Sequence, residues 1–154
     1  MPSHDPRDDG STAVTLTDEQ SALLASIVRS WAAAAPAGWL RVVTREECSV
    51  APESDGIGSV RIVVVETPDG LEQETFRPSD ELYFETSDLL RELAAGSPTQ
   101  TIVLDVVIDR DGRTEATVVV DTPRVLVGIR DETSSKPVHQ YLERNRAELT
   151  ALLG

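Results

Sequence analysis

Two short runs in this chain resemble ligand-binding loops, and both have a simpler structural explanation. The run from Asp109 to Gly112 (Asp-Arg-Asp-Gly) resembles the start of a calcium loop, in which side-chain oxygens bind the ion. An EF-hand loop places a further oxygen ligand before its glycine, so we interpret this run as a turn between strands. Gly56 and Gly58 faintly resemble a phosphate loop, but they precede a predicted strand instead of opening a helix. We therefore predict no metal and no cofactor.

Residues that could support catalysis are equally sparse. A nucleophile would have to be Cys48 or a serine beside a histidine, and the two histidines, His4 and His139, fall in the N-terminal segment and on the last predicted helix. Asp105 lies in an apolar run and could be a functional carboxylate, although strand alternation also places it on the solvent face, which we prefer. A small hydrolase that uses carboxylates and His139 stays an alternative. We predict no catalytic residues and no enzymatic activity.

The most informative chemical feature is a concentration of carboxylates in the middle of the chain. Between Glu46 and Glu115 there are seventeen acidic residues and five arginines, which give −12 of the net charge of −13. This charge disfavours nucleic acid and anionic membranes as partners, because phosphate contacts require Lys or Arg. It favours fast, salt-sensitive association with a basic protein. Charge alone leaves open the alternative that it only keeps the protein soluble.

Some of these carboxylates must share a face, because they follow one another along a predicted edge strand, the helix after it and a later turn. We predict that this face binds a partner. Its candidate residues are Glu72, Glu74, Asp80, Glu81, Glu85, Asp88, Asp109 and Asp111.

Composition indicates one domain in a reducing compartment. Residues 1–14 are polar and predicted to form a mobile tail, and residues 15–154 a single domain with an aliphatic core, since aromatic residues make up only 4%. The single Cys48 excludes an intramolecular disulfide. No signal peptide and no apolar run of about 18 residues is present, so we expect a cytoplasmic protein.

Helical spacing and β-branched runs predict an α+β fold. Thr17 and Gln20 form a capping box before a helix that ends near Pro36. Strands are predicted at Trp39–Arg45 and Val60–Glu66, followed by an exposed edge strand near residues 71–77. The clearest hairpin pairs residues 101–108 with 114–120, and a short strand at 124–129 is a further candidate.

Two helices complete this prediction, and the first has two possible forms. Residues 79–95 form either one long helix or a helix broken within residues 83–86. A final helix after Pro137 turns apolar side chains inward. The predicted fold is thus a mainly antiparallel sheet of about five strands with N-terminal, middle and C-terminal helices. The inward side chains of the last helix are Val138, Tyr141, Leu142, Leu149 and Leu152.

The order of these elements resembles the YezG-type antitoxin or immunity-protein family of bacterial polymorphic toxin systems. The resemblance covers about residues 16–124 and rests on a strand opened by Trp39, a strand ending in Glu-Thr-Pro at residues 66–68, an acidic leucine-bearing helix at 88–93, and the turn from Asp109 to Gly112. The paired strands after that helix carry Val, Ile and Thr where the family usually shows aromatics.

The resemblance implies a non-enzymatic protein that binds and blocks a cognate toxin, often a nuclease, and it transfers no catalytic residues. The expected partner is therefore a cationic protein toxin, with no nucleic acid and no membrane, and a monomer is slightly favoured. The alternative is an acidic secretion chaperone or adaptor, commonly dimeric, that binds a basic or amphipathic segment.

Overall fold

The first helix begins at the capping box that the sequence predicts. The computed structural model describes residues 12–120 and 141–153, and the architecture given below concerns these residues. Helix α1 spans Asp18–Ala34. Thr17 Oγ1 accepts a hydrogen bond from the backbone N–H of Gln20 at 3.1 Å, and the Gln20 side chain accepts one from the backbone N–H of Thr17 at 3.0 Å. Both bonds satisfy N–H groups that have no partner within the helix.

An antiparallel sheet forms the centre of the molecule. Its spatial order is β1-β6-β5-β2-β3-β4, so β2 is central and β4 lies at one edge, as predicted for the strand near residues 71–77. The predicted hairpin is also confirmed, because β5 and β6 pair along their length. Together with the helices, these strands confirm the predicted α+β fold. The strands are β1 Thr12–Ala13, β2 Trp39–Ser49, β3 Gly56–Thr67, β4 Gly70–Thr75, β5 Thr101–Asp109 and β6 Thr114–Val120.

The structure departs from the predicted boundaries at two places. Strands β2 and β3 extend into the segment that was predicted as a loop and leave only residues 50–55 between them, with Glu46 opposite Ser59. At the N-terminus, residues 12–14 belong to the sheet and not to the predicted tail. Thr12 pairs with Val120, and the backbone N–H of Val14 donates to the carbonyl of Val118 at 2.9 Å.

Helices cover both faces of the sheet. Helix α2 runs without a break over Asp80–Ala95, which resolves the two predicted forms, and the Ser79 hydroxyl caps it by accepting from the N–H of Leu82 at 3.2 Å. Together with α1 it packs on one face, where Trp31 is fully buried. None of the helices within residues 12–120 and 141–153 is both long enough and apolar enough to cross a membrane.

Two short helices, α3 (Tyr141–Arg144) and α4 (Arg146–Ala151), pack on the opposite face. They replace the single C-terminal helix of the prediction, but the predicted inward side chains Tyr141, Leu142 and Leu149 are buried and Leu152 is half-buried. Val138, His139 and the candidate strand at 124–129 lie outside the described residues, as does His4.

Just before β2, the backbone at Gly38 packs closely against the backbone at Glu66. Gly38 has φ +80°, and a Cβ built there would lie 2.9 Å from the carbonyl oxygen of Glu66. We expect Gly38→Ala to destabilise the protein by about 2–6 kcal/mol, because a positive φ and overpacking each cost about 1–3 kcal/mol. Gly112→Ala is the matched control, since Gly112 also has a positive φ but no heavy atom within 4 Å of the new Cβ. Urea unfolding of both variants tests this, and an equal loss in the two would contradict the steric argument.

Candidate functional site

Four of the predicted partner-binding carboxylates lie on the exposed side of α2. This helix turns its leucines toward the sheet, where Leu82, Leu89 and Leu93 are buried. Residues on the opposite side of the helix therefore face water. All four carboxylates are exposed, and their role in binding a partner stays a prediction. They are Asp80, Glu81, Glu85 and Asp88.

Two more carboxylates project from β4 on the same side of the sheet. Glu72 pairs with Val65 and Glu74 with Val63, and both valines belong to the core beneath α1 and α2. Directly opposed residues of an antiparallel pair point to the same face of a sheet. Glu72 and Glu74 therefore lie on the helix-covered side of the edge strand, and both are exposed.

The α2 carboxylates and the β4 glutamates lie on the same side of the sheet. The Arg61 guanidinium of β3, the direct neighbour of β4, lies 5.8 Å from the centre of the Tyr83 ring of α2. We call the six residues Glu72, Glu74, Asp80, Glu81, Glu85 and Asp88 the acidic surface.

Some exposed carboxylates of this protein are neutralised by arginines, and others are not. Arg91 pairs with Asp55 at 3.0 Å and Arg113 with Asp111 at 3.3 Å. Within the described part of the chain, no residue of the acidic surface forms an ion pair. Six like charges on one side of the protein are thus left uncompensated.

Asp109, which we predicted for this surface, is in fact part of the interior. It is 3% exposed and accepts two hydrogen bonds from Arg41, from Nε at 2.5 Å and from Nη2 at 2.9 Å. Arg41 also donates to the hydroxyl of Tyr141 at 3.0 Å and to Glu148 at 3.1 Å, so the network joins the sheet to α3 and α4. These partners raise the pKa of Arg41 above its ordinary value. Asp109 therefore has a structural role.

Asp111, also predicted for this surface, is exposed and lies in the turn after β5. Its carboxylate pairs with Arg113 at 3.3 Å and accepts a hydrogen bond from the backbone N–H of Arg113 at 2.9 Å. Its charge is therefore compensated by a neighbouring arginine, and its role in binding a partner stays a prediction.

Sequence reasoning missed an aromatic pair at the centre of the acidic surface. Phe84 is 62% exposed, and its ring makes an edge-to-face contact with Tyr83 at 5.6 Å between centroids. On a helix, residues three and four positions apart are neighbours, so Phe84 lies between Asp80, Glu81 and Asp88. The signal was available, because Phe84 falls outside the spacing of the buried leucines.

A buried ion pair lies beneath this aromatic pair. Glu46 is fully buried and accepts hydrogen bonds from Arg61, at 2.6 Å from Nε, and from the Ser59 hydroxyl. Burial raises the pKa of Glu46, and Arg61 opposes the shift by favouring the ionised form. Arg61 is therefore held between Glu46 on one side and the Tyr83 ring on the other.

The polar cavity closest to a catalytic arrangement lies on the other face of the sheet. It has a volume of about 220 Å³, and its polar lining consists of Arg41, Asp109, Arg113, Glu115, Tyr141 and Glu148. Among the described residues, this lining contains no serine, cysteine, histidine or lysine, and its buried groups bond to one another. Asp105, the other candidate carboxylate, instead pairs with Arg45 at 3.2 Å. Among the residues the structure describes, no group of acids, histidines or cysteine is arranged to hold a metal ion.

Neither a protein-family model nor a curated protein matches this chain.

The different environments of Asp109 and Asp111 lead to a stability prediction. Asp109→Asn should lower the free energy of unfolding by up to about 3–5 kcal/mol, because it removes the buried counter-ion of Arg41 and leaves only the exposed Glu148 to compensate that charge. Asp111→Asn, an equal chemical change at an exposed position, should change it by less than about 0.5 kcal/mol. Chemical denaturation measures both, and equal effects would show that Asp109 has no special structural role.

The buried Glu46 leads to a prediction on pH. Because its pKa is raised in the folded state, the folded protein binds a proton that the unfolded chain has already lost. Its contribution to the free energy of unfolding therefore falls as pH rises from the unfolded pKa, about 4.3, through the folded pKa. In Glu46→Gln this slope, at most about 1.4 kcal/mol per pH unit, should disappear. Urea unfolding between acid and neutral pH gives the difference between wild type and variant, and a difference that does not vary with pH would refute the raised pKa.

Proposed function

We propose that this protein is an immunity protein, or antitoxin, that binds and neutralises a cognate cationic toxin domain such as a nuclease. The observation that carries the proposal is the acidic surface, six exposed carboxylates of α2 and β4 that form no ion pair with any other residue in the described part of the chain. The resemblance of the element order to the YezG-type family supplies the class of partner.

The electrostatics of the free protein favour such a partner. Like charges close together repel each other and lower the stability of the molecule that carries them. A partner with a basic surface offsets this repulsion and adds attraction, so the electrostatic contribution to the free energy of binding is favourable. Enzymes that act on nucleic acids bind phosphates with clusters of Lys and Arg. Carboxylates held on a helix and a strand can occupy such a cleft as substitutes for the phosphates.

Charge of this kind acts mainly on the rate of association. Electrostatic steering raises association rate constants from about 10⁵–10⁶ M⁻¹s⁻¹ toward 10⁸–10⁹ M⁻¹s⁻¹ at low salt. A toxin has to be inhibited before it acts on its own cell, so a fast encounter is the property that an immunity protein needs. The acidic surface is well placed for it, because its carboxylates are exposed and not neutralised by neighbouring arginines.

The first step of the test identifies the partner by co-purification from the native host and mass spectrometry. A folded toxin domain bound one-to-one to a monomer supports the proposal. A dimer bound to an extended basic segment would instead support the secretion chaperone or adaptor.

The second step tests the surface itself. We expect simultaneous reversal of Glu72, Glu74, Glu81 and Glu85 to Lys to slow association with the toxin roughly 10- to 100-fold at low salt and to flatten its salt dependence. Stopped-flow kinetics and survival of toxin-expressing cells are the measurements. The control reverses four exposed carboxylates outside the acidic surface and changes the net charge equally. Unchanged protection and an unchanged association rate in the first variant would refute the assignment. The control residues are Glu19, Glu53, Asp69 and Glu115.

A further inference from the structure

We infer that Phe84 is the apolar anchor of the acidic surface, and that the partner presents an apolar socket surrounded by Lys or Arg side chains. This inference rests on the proposed function only in taking the acidic surface as the binding face. It adds that the partner's contact area includes an apolar part, which cannot be inferred from the charge of the carboxylates alone.

Phe84 is the most exposed large apolar residue in the part of the chain that the structure describes. Its side chain is 62% exposed, whereas Leu23, Tyr83 and Leu153 are 38–40% exposed. The second phenylalanine, Phe76, is 3% exposed. Full burial of such a side chain by a partner corresponds to about a 10- to 100-fold gain in affinity. An aromatic residue at the centre of a binding face is also the kind of residue that carries most of the binding energy in protein interfaces.

The aromatic pair is held in place before a partner arrives. The Tyr83 ring lies against Phe84 with an angle of 73° between the ring planes, and the Arg61 guanidinium stands 5.8 Å from the centre of the Tyr83 ring. Arg61 is itself fixed by Glu46 at 2.6 Å. A side chain that is already ordered loses little conformational entropy on binding, so more of the burial energy appears as affinity.

The charges around Phe84 restrict what can cover it. Asp80, Glu81 and Asp88 lie one helical turn from it, so a partner that buries the ring also approaches these carboxylates. A purely apolar surface would desolvate them without compensation, and an anionic membrane would repel them. A second copy of this chain would place the same negative charges opposite each other. A socket with a cationic rim satisfies both the ring and the carboxylates.

Two synthetic peptides of equal length and equal arginine content test the inference on the full-length protein. One carries a central pair of leucines and the other a central pair of serines, so they share their charge and differ in apolar surface. We expect wild type to bind the leucine peptide at least about tenfold more tightly, as measured by calorimetry. Phe84→Ser should abolish this preference while the salt dependence of binding persists.

Two further variants separate the anchor from general effects. Leu23→Ser, which removes an exposed leucine from α1, should retain the preference, and Phe84→Leu should retain part of it. Equal binding of the two peptides by wild type, or a preference that survives Phe84→Ser, would overturn the inference. These outcomes are independent of the toxin. If charge reversal abolishes protection while the peptides bind equally, the proposed function stands without the anchor; if the peptides differ but no toxin is found, the anchor stands alone.

Discussion

The fold depends on the pairing of charges that lie inside the sheet. The central strand β2 carries Arg41, Arg45, Glu46 and Glu47, all buried or nearly so. A buried charge is strongly destabilising unless an opposite charge with good hydrogen-bond geometry accompanies it. Each of these four has such a partner, on its own strand or a neighbouring one. The sheet is therefore stable only in a register that brings all these partners together.

This constraint selects the pairing of β2 with its neighbours. Arg41 lies opposite Asp109 and Arg45 opposite Asp105 across β5, and on the other side Glu46 lies opposite Ser59. A shift of one residue turns every side chain of a strand to the other face. Such a shift of β5 would separate both arginines from their carboxylates at once. Valines, which fill much of the remaining sheet, could tolerate the shift more easily, so the ionic pairs give the register its specificity.

The regular elements could be predicted from sequence because their signals are local. The capping box at Thr17, the edge position of β4 and the hairpin of β5 and β6 each depend on residues close together in the chain. The role of Asp109 could not be predicted, because its partner Arg41 lies 68 positions away and a turn explains the local pattern equally well. The same applies to Glu46, which lies just beyond the predicted strand Trp39–Arg45 and whose partner Arg61 is 15 positions away. The α2 part of the candidate site was predictable from helical spacing, whereas the pairing of other exposed acids with distant arginines, such as Asp55 with Arg91, was not.

The interior pairing also explains why the acidic surface is available for binding. Arginines that could neutralise exposed carboxylates are used instead inside the sheet, where Arg41, Arg45 and Arg61 bind buried acids. Arg61 has a second role, because its outer face contacts Tyr83 and so orders the aromatic pair that Phe84 completes. The chain has only six aromatic residues in the Trp, Tyr and Phe classes. Two of these six, Tyr83 and Phe84, are neighbours on α2 and contact each other at the surface. Arg61 contacts both the buried Glu46 and the Tyr83 ring, so it connects the core to the aromatic pair on the surface. A substitution of Glu46 should therefore affect the aromatic pair on the proposed binding face as well as the stability of the protein.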